Sequence, residues 1–452
     1  MTQQEQWKSK IGFILAAGGS AIGLGAIWKF PYVAGTGGGG AFFLVFLLFT
    51  LLLGWPLLIG EFTIGRNSQS DAITTYRKLA PHSNWGIVGK IGVFTNFMLL
   101  SFYSVVGGWI ILYLIEALSG GLSGLTQDDY GQVFGDIIAQ PYSTLGAQLL
   151  FILLTVFVVA QGVQKGIEQA SKIMMPALFI LFIVLVLRSL TLDGAIEGVK
   201  FLLVPDFSKL TSETIAFALG QAFFTLSLGA SVMVTYASYL PKTQNLPKSA
   251  LSIIVMNIAI ALLAGLAIFP GVFSFGIEPN AGPVLIFTVL PAVFDQLPFG
   301  MVFFIAFLLL FLFAALTSAF SMIEIIVATI TKNDNKKRKR FTWIIGIAIF
   351  IIGIPSCLSY GVMADFTIFD RVFFDLVDFA VSNVLLPLGA LLISIFVSRK
   401  VSKEVLFEEI RQGSTIGKMS FYIWFYLMKY IIPIAIIIVF IDALGLLDWV
   451  LG

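Results

Sequence analysis

The sequence predicts an all-α protein that crosses a lipid bilayer many times, and three observations carry that prediction. Hydrophobic residues make up 58% of the 452 and charged residues only 12%, too few to cover the apolar surface of a soluble fold. Apolar runs such as AFFLVFLLFTLLLGWPLLIG (41–60) and MVFFIAFLLLFLFAALTSAF (301–320) reach the roughly 20 residues a helix needs to span the hydrocarbon. The connections between such runs alternate between strongly basic and nearly neutral, the charge pattern of a polytopic chain.

Eleven spans are expected, at 11–33, 41–64, 87–118, 144–162, 167–190, 214–240, 248–275, 299–331, 341–358, 371–398 and 422–447. Most of the 27 basic residues fall on one side: Lys8 and Lys10, Arg66 through Lys90, Lys165 and Lys172, Lys242 and Lys248, the cluster 332–340, and Arg399 through Lys418. The other side holds only Arg188, Lys200, Lys209 and Arg371. The positive-inside rule then places the N-terminus in the cytoplasm and, with an odd number of spans, the C-terminus outside a cell membrane. KKRKR (336–340) reads as a topology anchor rather than a nucleic-acid patch. Residues 277–298 are too apolar for an ordinary loop and suggest a short outer hairpin. Lys8 and Lys10 ahead of an apolar run resemble a secretory leader, but the run continues through IWKFPYVAG without a polar mature start.

Catalytic and metal-cluster readings find no support. Cys357 is the only cysteine and His82 the only histidine, so intramolecular disulfides, cysteine-based metal sites and histidine triads are excluded. No HExxH or CxxC is present, and the chain is not expected to be an enzyme.

Two spans carry interruptions. GGSAIGLG (18–25) sits inside span 1 and TLSLGAS (225–231) inside span 6, where leucine or phenylalanine would hold a helix better. An unpaired backbone group in lipid costs several kcal/mol, so such a break must face protein, water or a ligand. Small residues also serve close helix packing. Two breaks five spans apart favour another reading: a single transporter domain of two inverted five-helix repeats, 11–190 and 214–398, with 422–447 as an extra span. Helix ends exposed at such breaks present amides to an anion and carbonyls to a cation. Tyr103, Asn257, Thr317, Ser318 and Asp378 are intramembrane polar residues and functional candidates for that reason.

GLGAIWKFPY, GGGAFF (38–43), FFTLSLGASVMVTYASY (223–239) and ALTSAFSMIE (315–324) resemble the neurotransmitter:sodium symporters, especially the bacterial amino-acid transporters of the multi-hydrophobic kind. The similarity runs from Trp7 to about residue 445. It implies sodium-coupled uptake of hydrophobic L-amino acids by alternating access.

Carried over by position, the resemblance implies that the Leu24 and Gly25 amides and the Tyr103 hydroxyl hold the substrate carboxylate. The carbonyls of Ala21, Phe224 and Thr225, with Ser227, would hold its ammonium. Leu99, Tyr103, Phe224, Ala230, Ser231, Ser318 and Met322 would line the side-chain pocket. A first sodium would touch Ala21, Thr225, Asn257 and the substrate carboxylate. A second would sit between Gly19 and Ile22 of span 1 and Ala314, Thr317 and Ser318 of span 8. Lys29 and Asp378 match an outer gate, and Gly166 and Pro176 match a Gly-x9-Pro segment that unwinds to hydrate the second sodium. Gly23 stands where monoamine carriers have Asp, which implies a substrate with its own carboxylate. The pocket would suit tryptophan, phenylalanine, tyrosine, leucine, isoleucine or valine, and no protein partner is implied.

Three positions depart from the family pattern. Ala26 replaces an Asn that ligates the first sodium, with Ser20 or water as possible substitutes. Gln4 and Lys332 replace the Arg and Asp of the inner gate. Ala261 stands where relatives carry an acidic or chloride-supporting residue, leaving chloride dependence open. A sodium-independent or proton-coupled exchanger on the same scaffold is the alternative to symport, and a binding-only receptor is the rival from another class.

Overall fold

The structure, a computed structural model, describes residues 5–276, 285–332 and 334–443. Among these, ten helices are long and apolar enough to cross a membrane: Lys10–Thr36, Gly40–Ser68, Gly86–Ser119, Pro141–Val159, Val163–Ser189, Leu246–Ser274, Gly300–Thr331, Asn335–Leu358, Phe373–Arg399 and Lys418–Ile441. They correspond to every expected span except the sixth. That one is two short helices, Ser212–Thr225 and Val232–Ser238, separated by non-helical residues. Of the expected outer hairpin, 277–284 lies outside the described residues and Leu285–Asp295 is helical.

Local sequence sets the helix ends. Ser9 caps span 1 by accepting the Gly12 amide, and Asp71, Thr126, Thr211, Asn245 and Ser402 cap later helices in the same way. Span 3 stops at Gly120, where φ is 84° and a left-handed residue closes the last turn. Pro56 and Pro387 each follow a wide turn, at Thr50–Gly54 and Ala380–Leu385, which accommodates the missing proline amide.

Burial separates an inner group from a lipid-facing group. Spans 1 and 3 are 83% and 78% buried over their apolar windows, whereas span 11 is 28% and span 5 is 33%. Span 8 packs against spans 1, 3 and 5, and the two halves of span 6 complete the centre. Ile173, Leu187, Phe157 and Ile347 are exposed, as lipid-facing positions must be. Small residues let the inner helices approach closely: a Cβ on Gly108 would meet the Gln148 amide nitrogen of span 4 at 2.8 Å.

Candidate functional site

Both expected interruptions are present. In span 1, Gly23 breaks the helix with φ 21° and ψ −154°, and a wide turn, Gly25–Lys29, follows. Only glycine fits there, because a Cβ would lie 2.2 Å from the Ser318 hydroxyl and 2.9 Å from that of Tyr103. In span 6, Ser227, Gly229 and Ser231 all have positive φ, at 53°, 86° and 56°. Side chains from other spans take up the backbone groups these breaks release. Tyr103 Oη accepts the Leu24 amide at 3.1 Å, Gln221 donates to the Gly25 carbonyl at 2.6 Å, and Ser227 donates to the Ser20 carbonyl at 2.9 Å. Glu61 Oε1, fully buried in span 2, accepts the Gly229 amide at 2.9 Å.

A small, mostly apolar cavity lies between the two breaks. Ten of the twelve expected substrate residues line it: Ala21, Leu24, Gly25, Leu99, Tyr103, Phe224, Ser227, Ala230, Ser318 and Met322. Thr225 and Ser231 do not. The Thr225 hydroxyl turns back to the Gln221 carbonyl at 2.9 Å, and the Ser231 hydroxyl pairs with Tyr76 at 2.9 Å on the far side of the chain. Ser20, expected only as a substitute sodium ligand, also lines the cavity, as do Asn96, Val232 and Leu386, which were not singled out by sequence. Asn96 had a signal: it precedes Leu99 and Tyr103 by three and seven residues, the spacing of one helix face.

Some of the expected sodium oxygens meet in two places. Thr317 and Ser318 both donate to the Gly19 carbonyl, at 3.2 and 3.1 Å, and Thr317 also reaches the Ala314 carbonyl at 3.0 Å. The Ile22 carbonyl accepts the Gly25 amide across the break. This concentration of carbonyl and hydroxyl oxygens suits a hard cation. At the other place Asn257 Nδ2 donates to Thr225 Oγ1 at 3.1 Å, while Asn257 Oδ1 is buried with no partner. An orphaned amide oxygen beside a hydroxyl fits a cation. Ala26 is fully buried and supplies no side-chain oxygen, and Ser20 bonds the Ser321 hydroxyl at 2.7 Å.

Two ion pairs, neither of them part of the cavity lining, bear on the expected gates. Lys29 Nζ lies 3.2 Å from Asp378 Oδ1, 3.1 Å from Ser382 Oγ and 4.4 Å above the Phe224 ring. On the other side Lys332 ends span 8 at φ 51°, exposed, and Gln4 lies outside the described residues. A buried charge pair is formed instead by Glu324, which sequence reasoning passed over, and Arg338, which it read as part of a topology anchor. Arg338 pairs with Glu324 through both nitrogens, and Tyr239 donates to Glu324 at 2.7 Å. Arg338 belongs to the KKRKR run, and one of these cations turns inward to a carboxylate instead of facing solvent. Trp7 is buried against span 6, its indole donating to the Tyr236 carbonyl at 2.8 Å.

Gly166 lies in a wide turn, Val163–Glu168, and a Cβ there would sit 2.0 Å from the Val158 carbonyl. Pro176 lies inside the helix that follows, which stays continuous from Gln169 to Ser189, and the neighbouring Met175 reaches to 3.1 Å from a Cβ built on Gly19. Glu168, buried, accepts the Lys8 amide at 2.7 Å and the Ser9 hydroxyl at 2.9 Å, joining the start of span 1 to that wide turn. Ala261 is fully buried in an apolar cluster with Phe30, Ala218 and Ala222.

Comparisons with known proteins agree with one another. The model of the sodium:neurotransmitter symporter family matches residues 4–127 and 138–447. The sodium-dependent transporter YhdH of Bacillus subtilis is 66% identical over 451 residues, covering 99% of this chain and all of that protein. The bovine sodium- and chloride-dependent GABA transporter 2 is 26% identical, over 81% of this chain and 69% of its own. Among solved structures, MhsT in complex with L-phenylalanine superposes with a TM-score of 0.91 at 44% identity, covering 98% of this chain and 100% of that one.

Proposed function

The chain belongs to the sodium:neurotransmitter symporter family, a sodium-dependent multi-pass membrane transporter and not an enzyme, and from that premise we propose that it takes up hydrophobic L-amino acids by sodium symport. The observation that carries this reading is the apolar cavity between two helix breaks, with the Leu24 amide and Tyr103 hydroxyl at one end. The amides of Leu24 and Gly25 with Tyr103 would take the carboxylate. The carbonyls of Ala21, Phe224 and Thr225 with Ser227 would take the ammonium. Gly23 leaves no room for an acidic side chain, so the carboxylate must come from the substrate. Leu99, Ala230 and Met322 favour an apolar side chain, since a charged one would be desolvated there without a partner.

Sodium is a co-substrate in this scheme. Thr317, Ser318, Ala314, Gly19 and Ile22 would hold one ion. Ala21, Thr225 and Asn257, with the substrate carboxylate, would hold another despite Ala26. Each charge moved inward across 100 mV releases about 2.3 kcal/mol, and each tenfold gradient adds about 1.4 kcal/mol. Two ions would drive accumulation on the order of a thousandfold or more, and one would still drive modest uptake. The apolar setting of Ala261 argues against a chloride ligand from that position.

Spans 1–5 and 6–10 would be two inverted repeats, interleaved around the site, a reading that the breaks five spans apart support. Lys29 and Asp378 would close the outside, Glu324 and Arg338 the inside. Loosening of span 5 around Gly166 and Pro176 would admit water to the second ion. The basic loops support a cytoplasmic N-terminus and an outer C-terminus in the cell membrane.

The test is uptake of labelled tryptophan and leucine into proteoliposomes, with external sodium exchanged for potassium. Steep sodium dependence with a Hill slope above one is expected. A slope near one would leave a single ion, and uptake indifferent to sodium would overturn symport. Counterflow of labelled substrate separates a carrier from a receptor.

A further inference from the structure

Asn96 is fully buried in span 3 and lines the cavity. Its amide nitrogen donates twice, to the Gly92 carbonyl at 2.7 Å and to the Ala230 carbonyl at 2.9 Å. Two carbonyl acceptors fix which end of the amide is which, because an oxygen turned toward them would meet only lone pairs. Oδ1 is therefore the end left over, and it is buried without a hydrogen-bond partner. An unpartnered acceptor of this kind is costly, and its presence at a binding cavity signals a ligand that completes it.

The placement says which part of the ligand. Tyr103, which accepts the Leu24 amide where the substrate carboxylate is proposed to sit, lies seven residues beyond Asn96, about 10 Å along the same helix. That is the scale of one aromatic amino acid lying between two hydrogen bonds. The cavity lining is mostly apolar: Leu99, Val232, Met322 and Leu386 offer no acceptor or donor from their side chains. The side chain that fits is flat and apolar with a single hydrogen-bond donor on its rim.

We infer that Asn96 is a specificity residue: its Oδ1 accepts a hydrogen bond from a donor on the substrate's aromatic ring, as the indole N–H of tryptophan supplies. The inference rests on the amino-acid reading above and sharpens it. Phenylalanine or leucine bound there would leave Oδ1 unpaired. A ring donor completes it, and a site built around a buried polar group discriminates against analogues that lack the partner.

The experiment compares L-tryptophan with β-(3-benzothienyl)-L-alanine, in which sulfur replaces the ring N–H at nearly the same shape. Both displace labelled leucine from the purified full-length transporter, with and without sodium. Tryptophan is expected to compete at least about tenfold more tightly, the scale of one buried acceptor satisfied or left bare. Equal, sodium-dependent competition by the two overturns the role of Asn96 and leaves the amino-acid reading standing. No competition by any hydrophobic amino acid overturns both. In Asn96→Leu the preference is expected to fall to near one, and a preference unchanged in that variant assigns the selectivity elsewhere. Asn96 also ties span 3 to the broken segment, so the comparison in the unaltered protein decides the matter if the variant does not fold.

Discussion

Ser318 occupies the space that a side chain at position 23 would need: its hydroxyl lies 2.2 Å from a Cβ built on Gly23 and donates to the Ser20 carbonyl at 2.8 Å. The break in span 1 and the polar face of span 8 are thus one fitted unit. Gly23→Ala is expected to abolish sodium-dependent leucine binding while leaving the purified yield comparable. Retained affinity in scintillation proximity binding would remove the break from the site.

Thr317 carries the second oxygen cluster. Thr317→Ala removes a hydroxyl that touches the Gly19 and Ala314 carbonyls. Losing one ligand to a charged partner is worth about 1.5–3 kcal/mol, so half-saturating sodium should rise by roughly ten- to a hundredfold. Uptake measured against sodium concentration reports this directly, and Thr317→Ser is expected to recover much of the loss.

The Lys29–Asp378 bridge spans 3.2 Å but is partly open to solvent, at 16% and 31% exposure. Exposed pairs contribute little, and an ammonium lacks the two-pronged grip of a guanidinium. Asp378→Asn should therefore speed dissociation of bound substrate by only several-fold. A loss of all binding would assign Asp378 to the site itself.

Arg338 and Glu324 are buried together, and Tyr239 shares the carboxylate. Removing one member of a buried pair strands the other, at a cost of about 3–5 kcal/mol. Arg338→Ala is expected to lower thermal stability and raise labelling of cytoplasmic-side cysteines introduced into a Cys357→Ala background. Arg338→Ala paired with Glu324→Gln should restore stability but not the closed inner side.

Glu409, on the short helix Lys403–Arg411, binds Arg66 at 2.6 Å, Lys242 at 2.8 Å and Asn67 at 2.9 Å. Burial pushes its carboxyl up, but the hydrogen bonds from Lys242, Asn67 and Arg66 outweigh that and hold it below its ordinary value. A folded-state pKa below the unfolded one means stability that is present above the ordinary carboxylate range and lost as pH falls through the lower folded value. Melting measured from pH 7 down to about pH 3 should show a loss at the acid end that Glu409→Gln flattens, with the variant already less stable at neutral pH.

Ten of the expected spans, the two breaks and the gathering of ten of the twelve expected residues around one cavity were legible because each leaves a local trace: apolar length, a glycine cluster, or a family motif at fixed spacing. Ser231 carried the same trace and is turned to Tyr76 instead, because the positive φ of residues 227–231 redirects side chains in a way no helical periodicity describes. Arg338 sat inside a basic run that reads as a solvated anchor. Nothing near it in sequence reveals that Glu324, fourteen residues earlier, is its partner.

The sequence by itself determined the membrane architecture, the family and the positions where helices fail, since hydropathy, charge asymmetry and glycine placement act over a few residues at a time. Only the tertiary structure decided which polar groups pair and which remain open. Asn96 and Asn257 are both single amides in apolar helices. Whether an amide oxygen stays unpartnered depends on carbonyls contributed by spans far away in sequence, and those meet only when the helices pack.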